Sequence, residues 1–439
     1  MLAMHALRAG KPDLALEVSQ ALLQADRKNA AAWHLQAAAH AQAGRLAAGR
    51  RAAAQAFRFS RDSRGKFQMA QLASRLALQS GSPTLAQYWL RRTAVHAPDE
   101  KSVRLIARDY RLLRQINPWS FRLRSEAKPS TNVNNGSDDT LQIIDGAPSA
   151  QGRYGPRAVA LSGTIGIADA TLSRRLRENR TSVTSINARL YLQRVALSGE
   201  AKAKAAELAR LTRTTMPRNS EFASTYAALT LAHAFAIGDP DKGSTARIAL
   251  TAATSWYGGE RGYDLIKLAG SRSWQAAAST RVELNASAEQ RIKPRHPGLD
   301  ATVLSAGAGL SRKLADGSSL NLTLGVRDTA AGHVNSTFRT ATVRLGYSPA
   351  KSFGPVNLST SLILGQSDYP IYYGGFPAQS LPGGRQDMSA YADLNLFFER
   401  FDYAGFAPML RLRGGKRSSN HNRFDSTEFS VSLGIETTF

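Results

Sequence analysis

Beyond Pro118 apolar and polar residues alternate along the chain with a period of two. Leu320, Leu322, Leu324 and Val326 are interleaved with Asn321, Thr323 and Gly325; Val356, Leu358, Thr360, Leu362 and Leu364 with Asn357, Ser359, Ser361 and Gly365. Leu394, Leu396 and Phe398 alternate with Asp393, Asn395 and Glu399. Successive side chains of an extended backbone point to opposite faces, so each run is a strand with one aliphatic and one polar, often charged, face. Such runs fall at roughly 119–128, 157–167, 171–178, 184–196, 222–236, 244–257, 264–274, 276–291, 300–314, 318–328, 336–347, 353–366, 388–400, 404–415 and 425–439. The stretch at 171–178 has the weakest pattern. Ala315-Asp316-Gly317-Ser318 is a hairpin turn, longer polar connections span 129–156 and 367–387, and 199–213 reads as a short amphipathic helix.

Before Pro118 the period is helical. Residues 1 to about 114 are rich in Ala, Leu, Arg and Gln, and the segment is similar to itself at a spacing of 34. Ala9-Gly10 recurs as Ala43-Gly44, and Trp33 recurs as Phe67. Ser80-Gly81 follows after a three-residue insertion; Ala86 stands five residues beyond Gly81 as Ala15 does beyond Gly10, and Pro98 closes the unit. Helix pairs of this kind cannot bury their apolar faces alone and stack into a solenoid. The pattern resembles the tetratricopeptide repeat, which implies a concave peptide-binding surface; the plainer alternative is a spacer.

Charges on one face and aliphatics on the other, strand after strand, describe a wall with lipid outside and water inside. A soluble sandwich also alternates, but with fewer successive strands of this length. The expected architecture is therefore α plus membrane β: a short tetratricopeptide-like helical solenoid over 1–114, then a transmembrane antiparallel β-barrel over 115–439. Even parity in single-chain bacterial barrels favours 14 strands, so one of the fifteen runs is not a strand of its own. Phe429 to Phe439 resembles the closing strand of outer-membrane barrels and the signal read by the barrel-assembly machinery, at Ser432, Gly434 and Phe439, with Thr437 where an apolar residue is usual. Such a barrel places both its ends, and so the helical unit, in the periplasm. Trp119, Trp256, Trp274, Tyr347 and Phe439 are candidates for the aromatic girdles at the membrane interfaces.

Composition narrows the chemistry. The chain has 439 residues, no cysteine and a formal net charge of +24. Disulfide frameworks, cysteine nucleophiles and cysteine metal cages are excluded. The eight histidines are dispersed, with no i, i+4 pair, and neither a Gly-x-Ser-x-Gly elbow nor a Walker loop occurs. No catalytic, cofactor or metal site is expected. The basic residues are scattered and match no nucleic-acid module, so no nucleic-acid partner is expected. Arg281, Arg327, Arg344, Arg411 and Arg413 fall on the inward parity and make a positive lumen, which admits an outer-membrane porin exporting an acidic polysaccharide. Lipopolysaccharide phosphate at the outer-membrane surface is a further partner for basic groups. The opening MLAMHALRAGKPD carries no recognisable signal peptide and looks like the end of a helix under way, so an export signal is expected upstream of Met1.

Short motifs choose between export systems. Asn132-Val133-Asn134 after the first strand, Arg385-Gln386-Asp387 entering a later one, Gly405-Phe406-Ala407-Pro408, and Ser418-Ser419-Asn420 resemble, in order and spacing, motifs of the surface lipoprotein assembly modulator family. Two features depart from the family pattern: the aromatic expected shortly after the last motif is replaced by Arg423-Phe424, and the helical array is short. The resemblance covers roughly 115–439, with the helical repeats matching the amino-terminal domain of that family. It implies an outer-membrane translocon component that helps a lipoprotein passenger reach the cell surface. From the residues themselves, Asn132 and Asn134 are expected to satisfy backbone groups at a bend. Arg385 and Asp387 read as a structural ion pair or, alternatively, as lumen charges that steer a passenger.

Overall fold

The computed structural model describes residues 2–144, 147–239, 243–374, 379–401 and 406–437. It forms two compact units, one ending at Ser120 and one beginning at Phe121.

In the first unit α1 (Leu2–Arg8), α2 (Pro12–Ala25), α3 (Ala30–Gln42), α4 (Leu46–Phe59), α5 (Ser63–Gln79), α6 (Pro83–Val95) and α7 (Glu100–Ile116) each pack against the next. The turns after α1, α3 and α5 are one motif used three times. Gly10, Gly44 and Gly81 all have φ of +71°. The residue after each donates its N–H to the carbonyl five positions back: Lys11 to Ala6 (2.9 Å), Arg45 to His40 (2.8 Å) and Ser82 to Ala77 (2.9 Å). This closure requires a left-handed residue, which glycine adopts at least cost. Five residues later the chain is again small, at Ala15, Gly49 and Ala86, and all three are buried. A Cβ on Gly49 would lie 3.1 Å from both the Ala37 carbonyl and Leu76, so the period of 34 records two backbone requirements per repeat. Trp33 and Phe67, expected as aromatic wedges, are only half-buried. Phe57 and Trp89 form the aromatic core instead, edge to face at 5.6 Å.

The second unit holds β1 (Trp119–Ser130), β2 (Leu141–Ile144), β3 (Ala147–Arg153), β4 (Gly163–Glu178), β5 (Ser182–Leu197), α8 (Gly199–Thr212), β6 (Ser224–Ala236), β7 (Thr245–Tyr257), β8 (Glu260–Ala277) and β9 (Thr280–Ile292). It continues with β10 (Ala301–Lys313), β11 (Ser319–Ala331), β12 (Phe338–Ser348), β13 (Asn357–Tyr369), β14 (Tyr373–Gly374), β15 (Gln379–Ser380), β16 (Arg385–Phe397), β17 (Phe406–Ser419) and β18 (Ser426–Thr437). Fourteen strands close in the order β1-β18-β17-β16-β13-β12-β11-β10-β9-β8-β7-β6-β5-β4. The hairpins β2–β3 and β14–β15 stand apart from the ring.

Parity settles as expected, and the reason is specific. The runs at 157–167 and 171–178 belong to one strand, β4, and residues 157–162 are not strand at all. Val159 and Leu161 in that segment are fully buried in a core with Ala201, Ala205 and Leu208 of α8. Buried aliphatics with a near-alternating pattern imitate a strand. The polar connection 129–156 likewise contains β2 and β3. The turn at Ala315–Ser318 forms with Gly317 at φ +87° and both the backbone and the hydroxyl of Ser318 bonded to the Asp316 carboxylate.

Outward residues form a continuous aliphatic belt. Leu250 is 51% exposed, Val326 59% and Leu433 64%, whereas their neighbours Thr251, Arg327 and Ser432 face inward. Exposed large aliphatics at alternate positions on nearly every strand suit hydrocarbon, not water. Trp256, Trp274 and Tyr347 share the outward parity near strand ends, Trp119 opens β1, and Phe439 lies outside the described residues. Connections at the two ends of the barrel differ. The end where β1 finishes and β18 begins, called the loop end, carries the segments 131–162, 198–223 and 370–384; the turn end has shorter ones, such as 179–181 and 278–279.

Candidate functional site

At the loop end the first and last connections interlock. Asn132 closes its own bend: its side-chain amide donates to the Gly136 carbonyl and accepts from the Gly136 N–H, both at 2.8 Å. Asn134 acts as a strand partner, accepting from Leu161 N–H at 3.0 Å and donating to the Val159 carbonyl at 2.7 Å. Val133 between them is buried in the core with α8. A hub forms at Asn422, in the last connection. Its side-chain oxygen accepts from Ile143 N–H (2.8 Å) and the Tyr154 hydroxyl (2.7 Å), its amide donates to the Leu141 carbonyl (2.8 Å), and its carbonyl accepts from Ser137 (2.6 Å). Asp138 accepts from the backbone and hydroxyl of Thr427 at 2.9 and 2.8 Å. The first and last barrel connections, nearly three hundred residues apart in sequence, are thereby tied at one rim.

A second cluster joins the segment before β16 to the segment after β17. Arg385 grips Asp387 with two bonds of 2.9 and 2.6 Å, and both side chains are only 7% exposed. The guanidinium lies between rings, 3.3 Å from the centroid of Phe424 and 3.9 Å from that of Tyr369. Planar delocalised charge stacks on aromatic faces while its edge bonds the carboxylate, so the ion pair is satisfied although buried. Asn420 binds the Gly384 carbonyl (2.8 Å) and accepts from Gln386 N–H (2.9 Å). Ser419 donates its N–H to Asp425 at 2.6 Å. His421 packs between Tyr372 and Phe424, and neither ring nitrogen has a hydrogen-bond partner. Burial, then the nearby Arg385 and Arg423, pushes its imidazole down to about 4.

Beneath this cap the barrel encloses a polar cavity of about 560 Å³. Arg124, Lys128, Arg344, Arg411 and Arg413 line it with Glu126, Asp393 and Glu428, roofed by Asn132, Val133 and Asn135. Lys128 pairs with Glu428 at 2.9 Å, Arg413 with Asp393 at 3.3 Å, and Arg411 with Glu126 at 3.5 Å. Five cations against three carboxylates leave a positive excess. Of the five arginines expected in the lumen, Arg344, Arg411 and Arg413 meet here, while Arg281 bonds Ser273 and Arg327 lies elsewhere on the wall.

The motif positions thus divide. Asn132, Val133, Asn134, Arg385, Asp387, Ser419 and Asn420 gather at the loop end; Phe406 and Pro408 begin β17 at the turn end, where the Pro408 carbonyl accepts from Phe398 N–H at 3.0 Å. Gly405 and Phe439 lie outside the described residues. Reading from sequence missed Asn422, Tyr154, Tyr369, Tyr372 and His421. Phe424, at the point where the sequence departs from the family pattern, is the ring against which Arg385 stacks.

A closed fourteen-stranded ring with an aliphatic exterior and a charged, arginine-rich lumen is an outer-membrane β-barrel, here preceded by a helical unit. No family model matches the chain. No curated protein matches it either. Among solved structures it is similar to OccAB3 of Acinetobacter baumannii, with 10% identity, 73% of this chain and 99% of that one covered, and a TM-score of 0.39. A BenF-like porin from Pseudomonas fluorescens Pf-5 gives 8% identity, 73% and 99% coverage and a TM-score of 0.36. The outer membrane channel DcaP of Acinetobacter baumannii gives 8%, 73% and 97%, and 0.36.

Proposed function

We propose that this protein is an outer-membrane translocon component that assists delivery of lipoproteins to the bacterial cell surface. The helical repeats engage the passenger in the periplasm, and the barrel provides the exit. The observation that supports this reading is convergence: three of the four motifs whose spacing resembles the surface lipoprotein assembly modulators, at Asn132–Asn134, Arg385–Asp387 and Ser419–Asn420, gather at the loop end, while the Phe406–Pro408 motif lies at the turn end. Long connections at one end and short turns at the other support an outward-facing cap and a periplasmic helical unit. Insertion would use the barrel-assembly machinery, and the belt would meet outer-membrane lipid and lipopolysaccharide. The test is protease shaving of intact cells carrying a candidate lipoprotein, with and without this gene. Loss of surface exposure without the gene is expected; unchanged exposure refutes the reading.

The excess of cations in the lumen favours a second reading, a porin for an acidic polysaccharide. Its signature is anion-selective conductance in planar bilayers; cation selectivity would exclude it.

A further inference from the structure

On the wall of the lumen cavity Arg124 makes no ion pair among the described residues, and its Nε, like the Oγ of Ser432, has no hydrogen-bond partner; the Oε2 of Glu126 has only the Arg411 guanidinium, at 3.5 Å. Glu126 and Ser432 are both more than nine-tenths buried. Buried polar atoms are ordinarily bonded, and each one left over costs free energy, so two on one wall mark a surface shaped for something else. All three residues belong to the adjacent strands β1 and β18, which pair from Arg124–Glu436 to Ala127–Leu433 and again at Ser130–Ser430.

We propose that this cavity is a binding site for a short acidic saccharide. A ligand here would accept from Arg124 and bond Ser432 in either sense, beside a Glu126 already paired with Arg411. The remaining cations exceed the carboxylates, so the ligand carries negative charge. The rest of the lining is mostly hydroxyl and amide, including Asn132, Asn395, Gln193 and Ser430, with Val133 and Ile165 as its apolar side chains. An acidic amino acid offers carboxylates but no hydroxyls and carries an ammonium that the cationic wall would repel; a uronate sugar offers a carboxylate and a ring of hydroxyls. A volume of about 560 Å³ lies within the ordinary range of small-molecule sites.

This inference deepens the second reading above, and the two fail separately. The full chain in detergent is titrated calorimetrically with a uronic-acid trisaccharide, a neutral glucose trisaccharide and glutamate. Binding of the uronate alone is expected. Arg124→Gln and Ser432→Ala should each weaken it about tenfold, a loss of about 1.4 kcal/mol. Arg281→Gln, outside the cavity, should leave it unchanged. Ser432→Ala removes a hydroxyl that bonds nothing in the protein, so it keeps the test open if Arg124→Gln does not fold. Equal binding of glutamate or of the neutral sugar, or uronate affinity indifferent to both cavity variants, overturns the site. Anion-selective conductance with such indifferent affinity refutes the site and spares the channel; site-dependent binding without conductance does the reverse.

Discussion

At the residue scale the cap depends on groups that tolerate burial only together. Asp387→Asn leaves the Arg385 guanidinium buried without its carboxylate, and the expected cost is about 3 kcal/mol. The double variant Arg385→Met/Asp387→Leu removes both charges and should cost clearly less. The midpoint of the heat-induced mobility shift in a detergent gel ranks the two, and equal losses would argue that the pair is not energetically coupled. His421 makes the cap sensitive to acid. Its folded pKa of about 4 lies below the ordinary 6.5, so the unfolded segment binds more protons between those values. Stability contributed here is therefore present above pH 6.5 and is lost progressively as pH falls towards 4. Cleavage of the 420–425 connection by an acid-tolerant protease should rise between pH 7 and pH 4.5 in the native chain and much less in His421→Phe. The asparagines were legible beforehand because a short amide at a bend has few local options. The aromatic cage was not, because stacking on Arg385 unites positions 369, 372 and 424, which no spacing links.

At the scale of elements, periodicity carried most of the fold. Strands declared themselves wherever one face met lipid and the other water, and the arginines on inward parity followed from the same rule. The error at 157–167 arose where that contrast disappears, because Val159 and Leu161 pack under a helix instead of facing hydrocarbon. The alternation is testable at adjacent positions. Leu250→Arg places a charge in the belt and should cost about 2–4 kcal/mol. Thr251→Arg, one residue on, points into the lumen and gives up a bond to Thr230, at about 1 kcal/mol. Urea-dependent folding into vesicles measures both, and similar penalties would contradict the assigned faces. In the helical unit, Gly44→Ala forces a left-handed backbone on a residue with a Cβ and should cost about 1–2 kcal/mol. The 222 nm thermal transition of the full chain reports it, and no shift would mean that the repeated turn is not needed.

At the scale of the molecule, two halves with different periods serve different solvents. The helical repeats close their own core through small residues, and the barrel turns its aliphatics outward because hydrocarbon is its solvent. A charged lumen under an interlocked cap gives the barrel a direction. Sequence pattern could state that a barrel follows the repeats; it could not show that the first and last connections lock at one rim, because that lock consists of backbone bonds to Asn422 and Asp138 between segments far apart in the chain. The proposed direction, from repeats in the periplasm to a cap at the cell surface, is the claim on which the export reading stands. The chain has no cysteine of its own, so single cysteines placed at Arg295, in a loop-end connection, and at Lys351, in a turn-end one, can be labelled on intact cells with a membrane-impermeant maleimide. Labelling at 295 on intact cells, and at 351 only after the outer membrane is permeabilised, is the predicted result; the reverse pattern would contradict the account.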